Sequence, residues 1–217
     1  MKNLDTAEQE KVNSTAESNG SIRVFKSDFW EALTHVHPIL PLVIWGPVSL
    51  ALIFHGHISQ SLSVSQTLIT LLVALVVWTF MEYFFHRFAF HFPAKGPFGK
   101  RIVFLFHGLH HDAPNDKTRL VFPPFPAFLL LCGFYGFYSL IVPGEYLHVF
   151  MGGFMVGYLC YDYIHYATHH FPMKSKVGKY LRSYHLIHHF SEPNAKYGVS
   201  SPLWDYIFGS VGKRKVK

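Results

Sequence analysis

The stretches FHGLHH (106–111), YDYIHYATHH (161–170) and YHLIHHF (184–190) decide how this chain folds around a site. Each contains histidines three or four positions apart, and such residues lie on one face of a helix. The spacing therefore allows the imidazoles of each stretch to aim at one point, as the ligands of a metal ion do. Two further histidines, His86 and His91, begin and end the segment HRFAFH (86–91).

The number of clustered histidines exceeds what one metal ion needs. A single zinc or iron site takes about three or four protein ligands, so the clusters indicate two metal ions. His170 extends one HH pair but falls off the helical face of its neighbours, and its role stays open. The histidines of the clusters are His86, His91, His107, His110, His111, His165, His169, His185, His188 and His189.

The pair His86 and His91 does not have helical spacing. Five residues on an ideal α-helix turn the side chain by about 140 degrees beyond a full turn. We expect Pro93 to end the helix and free His91 to turn toward His86.

The composition is typical of a membrane protein. Half of the residues are hydrophobic, 18% are aromatic, only 15% are charged, and the mean hydropathy is positive. Apolar stretches near the roughly 20 residues needed to cross a bilayer lie at 39–54, 67–85, 120–142 and 146–164. The first is short and contains Pro41 and Pro47, so a re-entrant segment is the alternative there.

The distribution of Lys and Arg predicts the topology. All 19 lie in the N-terminal region, in the connector 87–119 or after residue 173, and the connectors 55–66 and 143–145 contain none. Short translocated loops avoid these residues. We therefore expect an all-α integral membrane protein with four transmembrane helices and both termini in the cytoplasm. A cytoplasmic helical cap would hold the histidine-rich dimetal site.

The chain divides into an N-terminal tail and one domain. Residues 1–27 are polar, lack the apolar core of a signal peptide and predict a flexible tail, and residues 28–217 predict one membrane-embedded domain. Cys132 and Cys160 lie in apolar spans and indicate no disulfide framework. We expect the basic segments 174–182 and 213–217 to meet anionic lipid headgroups rather than nucleic acid.

Three carboxylates and three aromatic residues are candidates for supporting roles. Asp112, Asp162 and Glu82 stand close to the histidine clusters and are candidates to orient imidazoles, although a solvated or Lys-paired carboxylate is the alternative for Asp162. Candidates to line an acyl channel are Phe122, Phe125 and Phe128, with ordinary packing as the alternative. We expect structural or interfacial roles for the remaining histidines, which are His35, His37, His55, His57 and His148.

The order of these motifs resembles the fatty acid hydroxylase and sterol desaturase superfamily, and most closely the fatty acid 2-hydroxylases. The resemblance covers residues 82–209. The histidine motifs are shared by the whole superfamily, whereas DKTRLVFPP (116–124) and YGVSS (197–201) point to the 2-hydroxylase branch. The motifs are HRFAFH, FHGLHHDAPNDKTRLVFPP, YDYIHYATHH, YHLIHHF and YGVSSPLWDYIFG.

The resemblance implies a reaction and a cofactor. It implies a non-haem di-iron site, with the ten histidines as ligands, that uses O2 and two electrons to hydroxylate C2 of a fatty acyl chain. In other members this is often the N-acyl chain of a sphingolipid or ceramide. A redox metal suits the reaction, because no side-chain acid or base removes an unactivated C–H hydrogen. We assign no separate acid or base residue, and purified protein could carry zinc in place of iron.

Many eukaryotic members of this superfamily carry a fused cytochrome b5 domain. The 27 polar residues before the first span are too few for one, so we expect a separate electron donor, a cytochrome b5 or a ferredoxin with its reductase. This feature favours a bacterial inner membrane over the endoplasmic reticulum.

Other functions fit the sequence less well. A sterol or carotenoid desaturase or hydroxylase would use the same metal site and is the nearest alternative. A metal transporter would need ligands near the bilayer midplane rather than beyond the helix ends. An intramembrane metalloprotease would need HExxH, and no HE pair occurs in the chain.

Overall fold

The computed structural model describes residues 21–213 and Val216, and in this part the regular secondary structure is helical, without strands. Residues 1–20 of the expected tail, and Arg214, Lys215 and Lys217 of the basic C-terminus, lie outside the described residues. Two helices, α3 and α4, continue directly into π-helical segments, Phe85–Phe90 and Phe104–Gly108. The α-helices are α1 (Asp28–Ala32), α2 (Leu40–Ser59), α3 (Val64–Phe84), α4 (Pro97–Val103), α5 (Leu109–Asp112), α6 (Pro124–Tyr138), α7 (Gly144–His170), α8 (Lys176–Phe190) and α9 (Leu203–Ile207).

Among the described residues, two helical stretches are long and apolar enough to cross a membrane. They are Leu40–Ser59 and Val64–Phe90. Their apolar side chains point mostly outward, as Phe54 and Leu72 show with 69% and 63% exposure. Because exposed apolar surface on this scale is unfavourable in water, lipid is the natural cover for it.

The other two expected spans form helices with different properties. Helix α6 begins at Pro124, a position where the backbone N–H would have no partner within the helix, so proline loses no hydrogen bond there. The helix is only 15 residues long and is therefore shorter than the predicted span 120–142. Helix α7 has 27 residues, but much of it is enclosed by its neighbours, with Val149 and Phe154 fully buried. The all-helical prediction is confirmed, whereas length and hydropathy identify only two of the four expected spans.

Helix α2 is continuous despite its two prolines. Pro41 lies in its first turn, a position that suits proline. Pro47 lies inside the helix, and two residues later Ser49 donates a 2.8 Å hydrogen bond from Oγ to the Gly46 carbonyl. The segment is therefore one continuous 20-residue helix, which is long enough to cross a bilayer.

Helix α7 packs against both α2 and α3 through glycines. A Cβ atom added at Gly152 would lie 2.5 Å from Ile53 Cγ1 and 2.7 Å from the Ser49 carbonyl oxygen of α2. A Cβ atom added at Gly157 would lie 2.6 Å from Trp78 Cβ of α3. The small residues thus allow the helix backbones to approach closely, as in other membrane helix pairs.

The described part of the N-terminal region is held to the connector before α6. Arg119, whose side chain is almost fully buried, pairs with Glu31 and donates to the Ile22 carbonyl. The Glu31 carboxylate also accepts hydrogen bonds from the backbone N–H of Val24 (2.9 Å) and Phe25 (2.8 Å). Residues 21–27 therefore lie against the domain through a buried ion pair.

The glycine contact predicts a specific loss of stability. In Gly152→Ala the new methyl group meets the α2 backbone, and overpacking of this kind costs about 1–3 kcal/mol. The purified variant should unfold at a lower temperature than the parent protein in detergent. Gly136→Ala is the matched control, because nothing lies within 4 Å of its added Cβ and alanine favours a helix. Equal melting temperatures for Gly152→Ala and Gly136→Ala would contradict the packing.

Candidate metal centre

The ten clustered histidines form two groups of five, and the ligand nitrogens within each group lie within 4.8 Å of one another. All four clusters of the sequence therefore meet at one end of the long helices, as the topology argument predicted. The first histidine group consists of His86, His91, His107, His111 and His188. The second histidine group consists of His110, His165, His169, His185 and His189.

Each HxxHH stretch is divided between the two groups. In the stretch 107–111, His107 and His111 belong to the first group, whereas His110 belongs to the second. The other stretch is divided in the opposite sense, since only its His188 joins the first group. Neighbouring residues point about 100 degrees apart on a helix, so an HH pair cannot aim at one point. Our expectation that each HxxHH stretch serves a single point is wrong for this reason.

A π-helical turn brings His86 and His91 into the same group. The His91 N–H bonds to the His86 carbonyl at 3.2 Å, which is the five-residue bond of a π-helix. This turn accommodates about one more residue than an α-helical turn, so residues five apart come onto one face. The helical end before Pro93, which we expected to free His91, is not what aligns the pair.

Within each group the Nε2 atoms of the imidazoles face each other at close range. In the first group the Nε2 atoms are 3.0 Å apart for His86 and His107, 2.9 Å for His107 and His111, and 3.1 Å for His91 and His188. In the second group they are 2.9 Å apart for His110 and His165, 3.0 Å for His110 and His189, and 2.9 Å for His169 and His185. The rings of His111 and His189 stack with centroids 4.1 Å apart and join the two groups.

Burial keeps these imidazoles neutral. It lowers the pKa of His107 well below its usual range, with a further contribution from neighbouring imidazoles. Burial likewise lowers the pKa of His111 to about 4 and that of His188 to about 3. A neutral imidazole keeps the lone pair that a metal ion requires, whereas a protonated one does not.

Backbone carbonyls orient two imidazoles of the first group. His188 Nδ1 bonds to the Ala195 carbonyl at 2.7 Å, and His86 Nδ1 bonds to the Tyr197 carbonyl. Such a bond places the proton on Nδ1 and leaves Nε2 free to bind a metal. Sequence reasoning missed these contacts, because every residue offers a carbonyl and only the fold selects which one is used.

Two of the three candidate carboxylates bond to backbone N–H groups, and the third is exposed. Asp162 accepts hydrogen bonds from the Phe122 N–H (3.1 Å) and the Tyr158 hydroxyl (3.4 Å). Glu82 accepts from backbone N–H groups of the segment 199–200, and Asp112 is exposed. Glu82 and Asp162 thus accept hydrogen bonds from backbone N–H groups of other segments, and neither bonds to an imidazole among the described residues.

The three candidate channel residues do not share one surface. Phe122 stacks on Phe106, next to His107, with centroids 5.9 Å apart. Phe125 is 72% exposed, and Phe128 is half exposed and stacks on Trp45. Phe122 thus contacts a residue that adjoins a clustered histidine in the sequence.

The remaining histidines lie outside both groups. His35 Nδ1 is 2.6 Å from Thr118 Oγ1, and His57 Nδ1 is 2.8 Å from Thr67 Oγ1. His37 accepts the Ile39 N–H at 3.3 Å. Two rings, those of His55 and His148, contact each other edge to face. His170 belongs to neither group, and its ring packs on Tyr166.

Comparison with known proteins places this geometry in a family. Residues 71–210 match the fatty acid hydroxylase family. A dihydroceramide fatty acyl 2-hydroxylase of Arabidopsis thaliana is 38% identical over 193 residues, which cover 89% of this chain and 81% of the plant protein. A fatty acid 2-hydroxylase of Rattus norvegicus is 33% identical, and the match covers 88% of this chain and 56% of the rat protein.

A solved structure supports the same assignment. In the structure of full-length scs7p only the hydroxylase domain is visible, and this chain matches it with a TM-score of 0.82 at 32% identity. The match covers 88% of this chain and 72% of that one. Sequence motifs, fold and comparisons agree, and the chain belongs to the fatty acid hydroxylase family.

Proposed function

We propose that this chain is an O2-dependent monooxygenase that hydroxylates C2 of a fatty acyl chain, free or as the N-acyl chain of a ceramide. The observation that carries the proposal is the pair of five-histidine groups in a chain whose relatives are named acyl 2-hydroxylases. Those names favour this reaction over a sterol or carotenoid oxidation. The position of the groups at the helix ends favours an enzyme over a metal transporter.

The spacing of the facing nitrogens fits ligands that share one metal ion in each group. With metal–nitrogen bonds of about 2.0–2.1 Å, ligands at right angles lie about 3.0 Å apart, and tetrahedral ligands lie about 3.4 Å apart. The six facing pairs lie between 2.9 and 3.1 Å. The five nitrogens of each group would hold one iron ion.

The chain supplies position and neutral nitrogen ligands rather than acid or base catalysis. When bound, two iron ions would supply the redox chemistry by which O2 and two electrons oxidise an unactivated C–H bond. The buried imidazoles would hold the two ions, and the carbonyls of Ala195 and Tyr197 keep two of these rings in place. No side chain is assigned as a separate acid or base.

The placement of the groups suits an acyl substrate. They lie where α3 and α7 end, at one edge of the outward-facing apolar surface of the long helices. A fatty acyl chain would lie in the hydrocarbon with its polar head at the membrane face. C2, beside the carbonyl, is then the carbon closest to the metal ligands, and Phe106 and Phe122 offer apolar contact there.

The full topology belongs to this proposal. We propose that α2, α3, α6 and α7 all cross the membrane and that both termini lie in the cytoplasm. The connectors 55–66 and 143–145, which this topology places on the opposite side, contain no Lys or Arg. The relatives named above come from a plant and a mammal, so they give no support to a bacterial inner membrane. We therefore propose a multi-pass membrane location without choosing the organelle.

The reaction is tested by lipid mass spectrometry. Cells that produce the chain should accumulate acyl chains carrying one added oxygen at C2, in free fatty acids or in ceramides. His188→Ala should abolish this product, because His188 belongs to a histidine group. The control His55→Ala should leave the product unchanged, because His55 lies outside both groups. Full activity of His188→Ala, or oxygen at another carbon, would contradict the proposal.

The second test concerns the electron donor. We propose that a separate acidic redox protein, a cytochrome b5 or a ferredoxin, docks at the basic segments 174–182 and 213–217. In the first segment Lys174, Lys176 and Lys179 are exposed. Purified protein with lipid and O2 should turn over only when the donor and its reductase are added. Because charge complementarity raises encounter rates and salt screens it, added salt should slow turnover at limiting donor.

Replacing these three lysines by Gln should weaken that salt dependence, and replacing the exposed Lys95 and Lys100 should not. Turnover that is indifferent to both donor and salt would overturn the docking proposal.

A further inference from the structure

The segment 195–210 covers the first histidine group and contacts it through backbone. Its Ala195 carbonyl accepts from His188 at 2.7 Å, and its Tyr197 carbonyl accepts from His86. The Tyr197 ring also packs against both imidazoles, with centroids 5.7 and 5.6 Å away. We call residues 195–210 the carbonyl clamp.

A buried carboxylate holds the first turn of the clamp. Asp205, which is fully buried, accepts hydrogen bonds from the N–H groups of Tyr197 (3.0 Å) and Gly198 (2.7 Å). It also accepts the Ser210 hydroxyl at 2.7 Å. Both carboxylate oxygens act as acceptors, so an amide in this place would aim its NH2 group at a hydrogen-bond donor.

A second buried carboxylate ties the clamp to helix α3. Glu82 accepts from the N–H groups of Val199 (2.6 Å) and Ser200 (2.8 Å) and from the Ser200 hydroxyl. The turn is tight, because a Cβ atom added at Gly198 would lie 2.1 Å from the Ser201 carbonyl oxygen. The position of the Tyr197 carbonyl is therefore fixed from both sides.

The second histidine group has no corresponding support for two of its ligands. His185 Nδ1 and His189 Nδ1 are buried and have no hydrogen-bond partner among the described residues. A hydrogen bond from the distal nitrogen orients an imidazole and raises its basicity, and losing such a contact typically lowers metal affinity by about 10- to 100-fold. The two groups therefore differ in how firmly their ligands are held.

We propose that Asp205 and Glu82 are positioning residues that act through the clamp carbonyls, so that the first histidine group holds its metal ion more tightly than the second. The inference rests on the proposed function in one respect, that both groups bind metal. It adds an order of affinity between the two centres and assigns its cause to the clamp. The contacts also give the YGVSSPLWD motif a physical purpose, which is to hold in place the Tyr197 carbonyl that bonds to His86.

Metal release tests the inference without measuring activity. The full-length protein, purified anaerobically and loaded with Fe2+, is mixed with excess chelator, and the iron left on the protein is measured over time. The parent protein should lose its two ions in separate phases. In Asp205→Asn the slow phase should accelerate by about 10- to 100-fold, while the fast phase stays unchanged.

Two further variants keep the result interpretable. Ser210→Ala removes one hydrogen bond to Asp205 and should accelerate the slow phase by a smaller factor, which provides a reading if Asp205→Asn does not fold. Glu31→Gln is the matched control, because Glu31 is also a buried carboxylate that accepts two backbone N–H bonds but lies in the N-terminal region. It should release both ions as the parent protein does.

The outcomes separate the inference from the function on which it rests. Two bound ions released in one phase, or both phases accelerated equally in Asp205→Asn and Ser210→Ala, would overturn the unequal centres and leave the hydroxylase proposal standing. Failure of the parent protein to bind Fe2+ would overturn both. A slow phase changed only by the clamp variants would support the inference.

Discussion

Two neighbouring histidines on a helix point about 100 degrees apart, and this angle governs the arrangement of the whole site. An HH pair placed between two metal positions supplies one imidazole to each. His110 and His111 do this from one side, and His188 and His189 do it from the other. The paired histidines thus belong to two centres at once, and the stacked rings of His111 and His189 lie between them.

This arrangement requires several helix ends to meet within a few ångströms. Helix α7 reaches the meeting point because glycines let it pack closely on α2 and α3. Helix α3 reaches it by changing to a π-helical turn, which costs the regular hydrogen bonding but aligns His86 with His91. The carbonyl clamp then covers the first histidine group. Burial removes the hydration of many imidazoles and thereby lowers the stability of the folded state. Bound metal would offset this loss.

Much of this could be predicted from the sequence, since ligand spacing and charge distribution are local signals. They indicated two metal positions, an all-helical fold and the convergence of four clusters at one face. The division of each HxxHH stretch was also present in the spacing, because i and i+4 residues share a face more closely than i and i+1. Each HxxHH stretch thus contains two sets of histidines rather than one. The five-residue spacing of His86 and His91 is likewise that of a π turn.

Other features depend on tertiary contacts that a single sequence does not specify. The carbonyls of Ala195 and Tyr197 act only because the clamp lies over the first histidine group. Asp162 lies near His165 in sequence, yet it bonds to the Phe122 N–H, which comes from a segment about 40 residues away. The polar side chain of Asp162 indicated a specific role, but the sequence did not indicate its hydrogen-bond partner.

The central claim is that adjacent histidines serve different metal ions. The most direct test is the iron content of His110→Ala, His111→Ala and the double variant, measured on folded protein alongside the Fe2+ coordination spectrum. We expect each single variant to lose one ion, with the remaining ion showing a different spectrum in the two variants, and the double variant to lose both. Identical spectra for the ion retained in His110→Ala and in His111→Ala would contradict the division into two groups.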